Sequence, residues 1–252
     1  MFSNKLLYYI ANYTLQHSFE KEILKILKNE KKLVIFDVGC YRGVFTKTML
    51  NLVEKRKYKF YLFDINKNVK KYIASLLKLR NVYYNEIALS NKNGIANYYY
   101  NSFFESAGSS LSSIVKNDAK WNFSRKLIFK ILFQSSKNFI KYQVSTIKLD
   151  NFIKKNKIQS IDVLKIDIEG SEYELLKGAK TTLKNNKVKI ILVEIIGKKN
   201  LYDKKEKKIL NFLKKRNYTL IKKANTLSIS LFSNIKGGDY LFINNSYFSS
   251  LR

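Results

Sequence analysis

Four carboxylates stand where a catalytic or cofactor site would need them. Asp37, Asp64, Asp167 and Glu194 each close a mainly apolar run, at 33–36, 59–63, 161–166 and 188–193. Runs of that length read as buried strands, and in an open parallel sheet ligands bind beyond the carboxyl ends of the strands. The chain holds only 19 Asp and Glu against 48 Lys and Arg, so four acids at strand ends point to one shared site. After Asp37 come Gly39 and Gly43, a glycine-punctuated turn that lets a nucleotide-like ligand approach bare backbone. Asp64, ending the second strand, is placed to accept both hydroxyls of a ribose. A dinucleotide site prefers Gly-x-Gly-x-x-Gly, yet Tyr41 occupies the second glycine position and Asp37 puts negative charge where a pyrophosphate would lie. That pattern suits a cofactor with a cationic sulfonium and an amino group, S-adenosyl-L-methionine (SAM).

Strands and helices must alternate to bring these acids together. The sequence predicts a helical segment over 3–30, a strand over 33–38, and a helix from Gly43 to Arg56 with Val44, Phe45, Thr48, Met49 and Leu52 facing inward. Next come a strand over 59–64, a Lys-rich helix over 69–79, a strand over 82–89 and a short aromatic strand over 95–100. After an interruption, 144–149 is extended, 150–156 is a short helix with Asp150 as its N-cap, and 161–166 is a strand. Ser171 starts a helix reaching about residue 185, followed by a strand over 188–193 and a helix over 204–217. Late strands are expected at 218–221, 227–232 and 240–243, with Gly237 and Gly238 turning between the last two. This order predicts an α/β fold, a mostly parallel sheet with helices on both faces.

The domain reading is an N-terminal helical cap over 1–31 and one α/β domain over 32–252, with a lid-like insertion at about 101–140. In that insertion 106–113 is small and polar, and 121–139 patterns as a basic amphipathic helix. Trp121 and Phe123 are placed to stack on a sugar face, pack in the core or touch a membrane. The lone His17 is read as structural, and one Cys40 with one His excludes Cys-based zinc and multi-histidine metal sites. No run nears the roughly 18–20 apolar residues of a membrane-spanning helix, and a cytoplasmic location is the simplest expectation. The formal charge of +29 fits nucleic acid, an anionic membrane face or an acidic glycan. It fits equally a Lys-, Asn-, Ile- and Tyr-rich, proline-free composition with the lysines dispersed along the chain.

Three stretches carry a resemblance: Phe36-Asp-Val-Gly-Cys-Tyr-Arg-Gly-Val-Phe-Thr46, Ile87-Ala-Leu-Ser-Asn91, and Ile147-Lys-Leu-Asp-Asn-Phe152 with Leu164-Lys-Ile-Asp-Ile-Glu-Gly170 and its following helix. From about residue 32 to 196 the chain resembles the FkbM family of SAM-dependent methyltransferases. It departs from the family in Cys40-Tyr41-Arg42 of the glycine loop and in Phe63-Asp64-Ile65, where the family has a Phe-Glu-Pro-like end. The resemblance implies a class I Rossmann-like methyltransferase fold, with a mostly parallel seven-stranded sheet whose last strand is antiparallel. It implies O-methylation, often of a sugar hydroxyl in a glycan, glycolipid or glycosylated product. By motif match Asp37, Gly39 and Gly43 hold the methionine end of SAM and Asp64 the ribose. Asn85, Glu86 and Ala88 border the adenine, and Asp167 and Glu169 sit beside the methyl.

An alcohol is a poor nucleophile, so its proton must be removed as the methyl transfers. Asp167 and Glu194, ending adjacent strands, are the expected catalytic bases. A divalent ion held by Asp167, Glu169 and Glu194 is the less favoured alternative. Glu172 is read as a helix-start acid. The expected partner is a small-molecule or glycan acceptor, with peripheral contact to an anionic membrane or a lipid-linked glycan at the inner membrane face. A nucleic-acid acceptor is the disfavoured reading, because a proline-free chain has no Asn/Asp-Pro-Pro-Tyr-type motif. The remaining alternative is a non-catalytic module of the same fold that binds membrane or partner through basic helices.

Overall fold

The apolar run at 33–36 forms the middle of the strand on which the rest of the fold is assembled. The computed structural model describes residues 19–53, 56–101, 139–168, 170–226 and 235–251. Its strands, in chain order, are β1 (Lys32–Val38), β2 (Lys57–Phe63), β3 (Val82–Asn85), β4 (Ala88–Leu89), β5 (Gly94–Asn101), β6 (Phe139–Ile147), β7 (Ile161–Ile166), β8 (Val188–Lys198), β9 (Tyr218–Thr226) and β10 (Ile235–Asn244). Seven of them form one sheet in the order β3-β2-β1-β7-β8-β10-β9. β1 is parallel to β2 and β7, β2 to β3, and β7 to β8. β10 runs antiparallel to both its neighbours, β8 and β9. This is the mostly parallel seven-stranded sheet with an antiparallel last strand that the resemblance implied.

Alternation along β1 divides the core. Leu33 and Ile35 face one side, with Phe19 and Ile23 of the leading helix (19–26), Leu27 of the turn after it, and Phe45 and Met49 of helix Val44–Leu52. Phe36 and Val38 face the other side, with Phe152, Leu175, Leu183 and Ile209 from helices Leu149–Lys155, Glu172–Gly178, Lys180–Lys184 and Lys199–Lys214. A parallel sheet covered on both faces buries its strands on both sides, so continuous apolar runs are required. Each fully buried aliphatic side chain contributes about 1.5–3 kcal/mol.

The structure revises several expected elements. The strand expected over 82–89 splits: β3 stays beside β2, while Ala88 and Leu89 pair with Thr146 and Ile147 in a separate three-stranded sheet, β4-β6-β5. Gly237 and Gly238 do not turn; they lie inside β10, opposite Ile196 and Ile195. A Cβ on Gly238 would lie 3.0 Å from the Ala224 carbonyl oxygen and 3.3 Å from the Tyr202 hydroxyl, so close packing explains that glycine. The helix after Ser171 breaks at Ala179. Asp150 does not cap its own helix. Its carboxylate accepts the backbone N–H groups of Thr181 and Thr182 and so caps the helix across from it. Val44, expected inward, is 47% exposed. The expectations for His17, for the insertion with Trp121 and Phe123, and for the strand over 227–232 lie outside the described residues.

Candidate functional site

The turn after β1 is shaped by three residues with left-handed backbone: Gly39 (φ 79°), Tyr41 (φ 41°) and Gly43 (φ 67°). The N–H groups of Gly39 and Cys40 both donate to the Phe63 carbonyl, at 2.9 and 3.2 Å, which ties the turn to the end of β2. Gly39 is also pressed against β7, since a Cβ there would lie 1.7 Å from the Asp167 carbonyl oxygen. Tyr41 pays a conformational cost of about 1–2 kcal/mol for positive φ. Its N–H donates to Asp64 Oδ2 at 2.9 Å, while Asn66 N–H donates to Asp64 Oδ1 at 3.0 Å. Asp64 therefore holds the turn in shape, and each of its oxygens retains a further lone pair. Burial pushes the Asp64 carboxyl up from its ordinary value.

Beneath the turn lies a buried ion network. Asp37 is fully buried; its Oδ2 accepts the Thr46 hydroxyl at 2.7 Å and its Oδ1 lies 3.4 Å from Lys165 Nζ. Lys165 Nζ also reaches Asp167 Oδ2 at 3.0 Å and the Gly39 carbonyl at 3.4 Å. Burial alone would lower the lysine's affinity for its proton, but Asp167 and Asp37 outweigh it and keep the ammonium charged. Burial likewise works against ionised Asp167, yet Lys165 and a hydrogen bond from Glu194 hold its carboxyl below the usual value. Glu194 moves the other way: burial, then the Asp167 charge and the hydrogen bond to it, push it well above the carboxylate range. Burial and mutual charge thus drive the two carboxyls apart, Asp167 towards its ionised form and Glu194 towards its protonated one.

These groups open into a cavity of about 180 Å³. It is lined by Gly39, Cys40, Tyr41, Arg42, Val44 and Phe45 of the turn and the helix after it, and by Lys165, Ile166, Asp167, Leu192 and Glu194 of β7, its following turn and β8. Phe19 and Glu20 of the leading helix and Asp239 of β10 complete it. Arg42 stands at 5.2 Å from the ring centroids of both Tyr41 and Tyr72. Burial pushes both Glu20 and Asp239 up to about 7. Their ordinary values are 4.5 and 3.8, so the folded protein holds protons that the unfolded chain releases. Their contribution to stability is therefore complete below about pH 4 and is lost as pH rises through about 7. Glu20→Gln should accordingly unfold at a higher temperature than the wild type at pH 8, and no higher at pH 4, as calorimetric melting would show.

The other expected site residues are placed as follows. Asn85 donates its side-chain N–H to the carbonyls of Leu62 and Tyr83, both at 3.3 Å. Glu86 forms a surface ion pair with Lys70 at 2.7 Å. Ala88 is buried in the small sheet beside Tyr98. Glu169 lies outside the described residues. Glu172 is nearly fully buried; it accepts the Gly170 N–H at 2.6 Å and pairs with Lys205, anchoring the turn that follows Asp167. Sequence reasoning missed Lys165, Glu20 and Asp239. Lys165 had a readable signal, a single cation inside an otherwise buried run. Glu20 had none, because nothing local shows that the leading helix folds over the cavity.

A sheet of this order with one antiparallel strand, and acids at the carboxyl ends of β1 and β7 beside Glu194, which lies inside β8 (the strand runs on to Lys198 rather than ending at Glu194 as expected), defines a class I methyltransferase fold. The chain belongs to the methyltransferase FkbM domain family, whose pattern it matches over residues 37–220. No curated protein matches it. Among solved structures it is similar to methyltransferase FkbM from Methylobacillus flagellatus KT, at 10% identity and a TM-score of 0.51. That alignment covers 84% of this chain but 44% of the other, so this chain spans less than half of that protein. It is also similar to N-methyltransferase NodS from Bradyrhizobium japonicum WM9, at 7% identity and a TM-score of 0.45, covering 90% and 94% of the two chains. Magnesium protoporphyrin IX methyltransferase (ChlM) from Synechocystis PCC 6803, with bound SAM, aligns at 10% identity and a TM-score of 0.43, over 91% and 79%.

Proposed function

We propose that the chain is a SAM-dependent O-methyltransferase acting on a hydroxyl, with a sugar of a glycan, glycolipid or other glycosylated product as the acceptor. The observation that carries this reading is the Asp167–Glu194 pair, held by buried Lys165 and facing the cavity beside the Gly39 turn. The donor set fits SAM. Asp167, whose carboxyl is held below its usual value, lines the cavity beside the Gly39 turn, and that negative charge suits a ligand carrying a sulfonium. Asp37 Oδ1, buried and without a hydrogen bond among the described residues, adds negative charge behind the turn. When bound, SAM supplies an electrophilic methyl group.

The protein's own residues do the rest. Asp64 offers its remaining lone pairs to the ribose hydroxyls, and Gly39 and Gly43, which let the turn pack closely on Asp167 and on Leu76, hold its backbone in place beside the methionine end. In its ionised form Glu194 takes the proton of the acceptor hydroxyl, and Asp167, kept ionised by Lys165, orients Glu194. Phe19, Phe45 and Leu192 exclude water from one side of the cavity. The same acidic lining opposes a polyanion at the reacting centre, which speaks against a nucleic-acid acceptor despite the charge of +29. No helix among the described residues is long and apolar enough to cross a membrane. The lysine-rich surface would instead hold the enzyme against an anionic membrane face bearing a lipid-linked glycan.

Titration calorimetry checks the cofactor reading. SAM should bind the wild type, and Asp64→Ala should weaken it at least tenfold, by removing two hydrogen bonds of about 0.5–1.5 kcal/mol each and loosening the Tyr41 turn. Unchanged SAM affinity in that variant would remove Asp64 from the ribose role.

A further inference from the structure

One end of the cavity holds two acids that neither the cofactor contacts nor the proton transfer uses. Asp239 on β10 lies directly opposite Glu194 on β8 in the antiparallel register. Residues so paired have Cβ atoms about 4.5–5.5 Å apart, and like charges there destabilise a sheet. The neighbouring pair Leu241–Leu192 packs against the face covered by the leading helix, and Glu194 and Asp239 line the cavity under that same helix. From the helix comes Glu20, 4% exposed, lining the same cavity, with its Oε2 buried and unpartnered among the described residues. Of the two lining cations, Lys165 is bonded to Asp37 and Asp167 and acts on Glu20 and Asp239 only through space, while Arg42 stands against the Tyr41 and Tyr72 rings. A buried carboxylate without a partner costs free energy that folding alone does not repay. Glu20, Glu194 and Asp239 thus share one cavity in a chain whose net charge is +29.

We propose that Glu20 and Asp239 form a subsite for a protonated primary amine carried by the methyl acceptor, so that the preferred acceptor is an amino sugar or another amino alcohol. This rests on the methyltransferase reading above and narrows its substrate class. The ammonium sits between Glu20 and Asp239, supplies the missing counter-charge, and so sets the adjoining hydroxyl towards Glu194. The apolar side chains of Phe19, Phe45 and Leu192 strengthen the attraction by keeping water out.

The test titrates glucosamine and glucose into the full chain saturated with S-adenosylhomocysteine, with SAM titrated into the ligand-free chain alongside. Glucosamine should bind at least tenfold more tightly than glucose, which has a hydroxyl in place of the ammonium. Glu20→Gln and Asp239→Asn should erase that difference and leave SAM affinity within twofold. Equal affinity for the two sugars, or no binding of either, would overturn the inference without any mutation being needed. A tenfold loss of SAM affinity in either variant would also overturn it, by assigning the acids to the cofactor's own ammonium. Failure of SAM to bind the wild type is a separate result that would instead bring down the methyltransferase reading.

Discussion

Glu194→Gln is expected to lower methyl transfer about 10²–10⁴-fold with SAM affinity unchanged, the usual contribution of a positioned general base. The amide keeps the size of the carboxyl and can still donate to Asp167, so the cavity keeps its shape. What it cannot do is accept a proton. The wild-type pH profile carries the diagnostic sign. Burial and the Asp167 charge raise the Glu194 pKa well above the ordinary carboxylate value. The base must be ionised to work, so kcat should climb as pH rises through that raised value, and the glutamine variant should lose this limb. Asp167→Asn should act differently. It removes the charge that holds Lys165 and raises Glu194, so the limb should move to lower pH. Single-turnover rates across pH, with SAM binding measured on each variant, separate these roles. An unaltered limb in Glu194→Gln would take the base role away from Glu194.

Gly39→Ala carries the largest expected structural effect. Two independent penalties meet at this position. A side chain at φ 79° is strained by about 1–2 kcal/mol. The new Cβ would also fall 1.7 Å from the Asp167 carbonyl oxygen, which is backbone and cannot swing aside. The turn and the end of β7 must therefore separate, and with them the Gly39 carbonyl and the Asp167 carboxylate that Lys165 joins. We expect a stability loss of more than about 2 kcal/mol and SAM binding weakened beyond detection in the calorimeter. Gly94→Ala is the matching control: its φ is 134°, but nothing lies within 4 Å of the added Cβ. That variant should show backbone strain only and bind SAM normally. Urea unfolding of both proteins makes the comparison, and equal losses would show that contact with Asp167 plays no part.

The fold was largely legible because its signals are local. The apolar runs at 33–36, 161–166 and 188–193 read as buried strands, and the glycine pattern after Asp37 read as a cofactor turn. Elements that depend on distant partners did not read correctly. The 82–89 run breaks because Ala88 and Leu89 pair with β6, more than fifty residues later. The Gly237–Gly238 pair resembled a turn, but the approach of Tyr202 and β9 requires glycine within a strand. The site divides in the same way. Asp37, Asp64 and Asp167 at strand ends could be found from the strands alone, whereas Glu194 lies inside β8, whose last residues pair with β10. Lys165 stood out as a cation inside a buried strand, but a sequence does not show that it faces Asp37 across the sheet. Glu20 and Asp239 come from opposite ends of the chain, and only the folded sheet and its covering helix bring them to one cavity.

The most direct test of the central claim is transfer of labelled methyl from SAM, by the wild type and by Glu194→Gln, into fractionated cell-surface glycan and lipid-linked extracts of the source organism. The account predicts label in a glycan or glycolipid fraction as a base-stable methyl ether, with the variant at least a hundredfold slower. Label recovered only in nucleic acid or protein, or equal transfer by both enzymes, would contradict it.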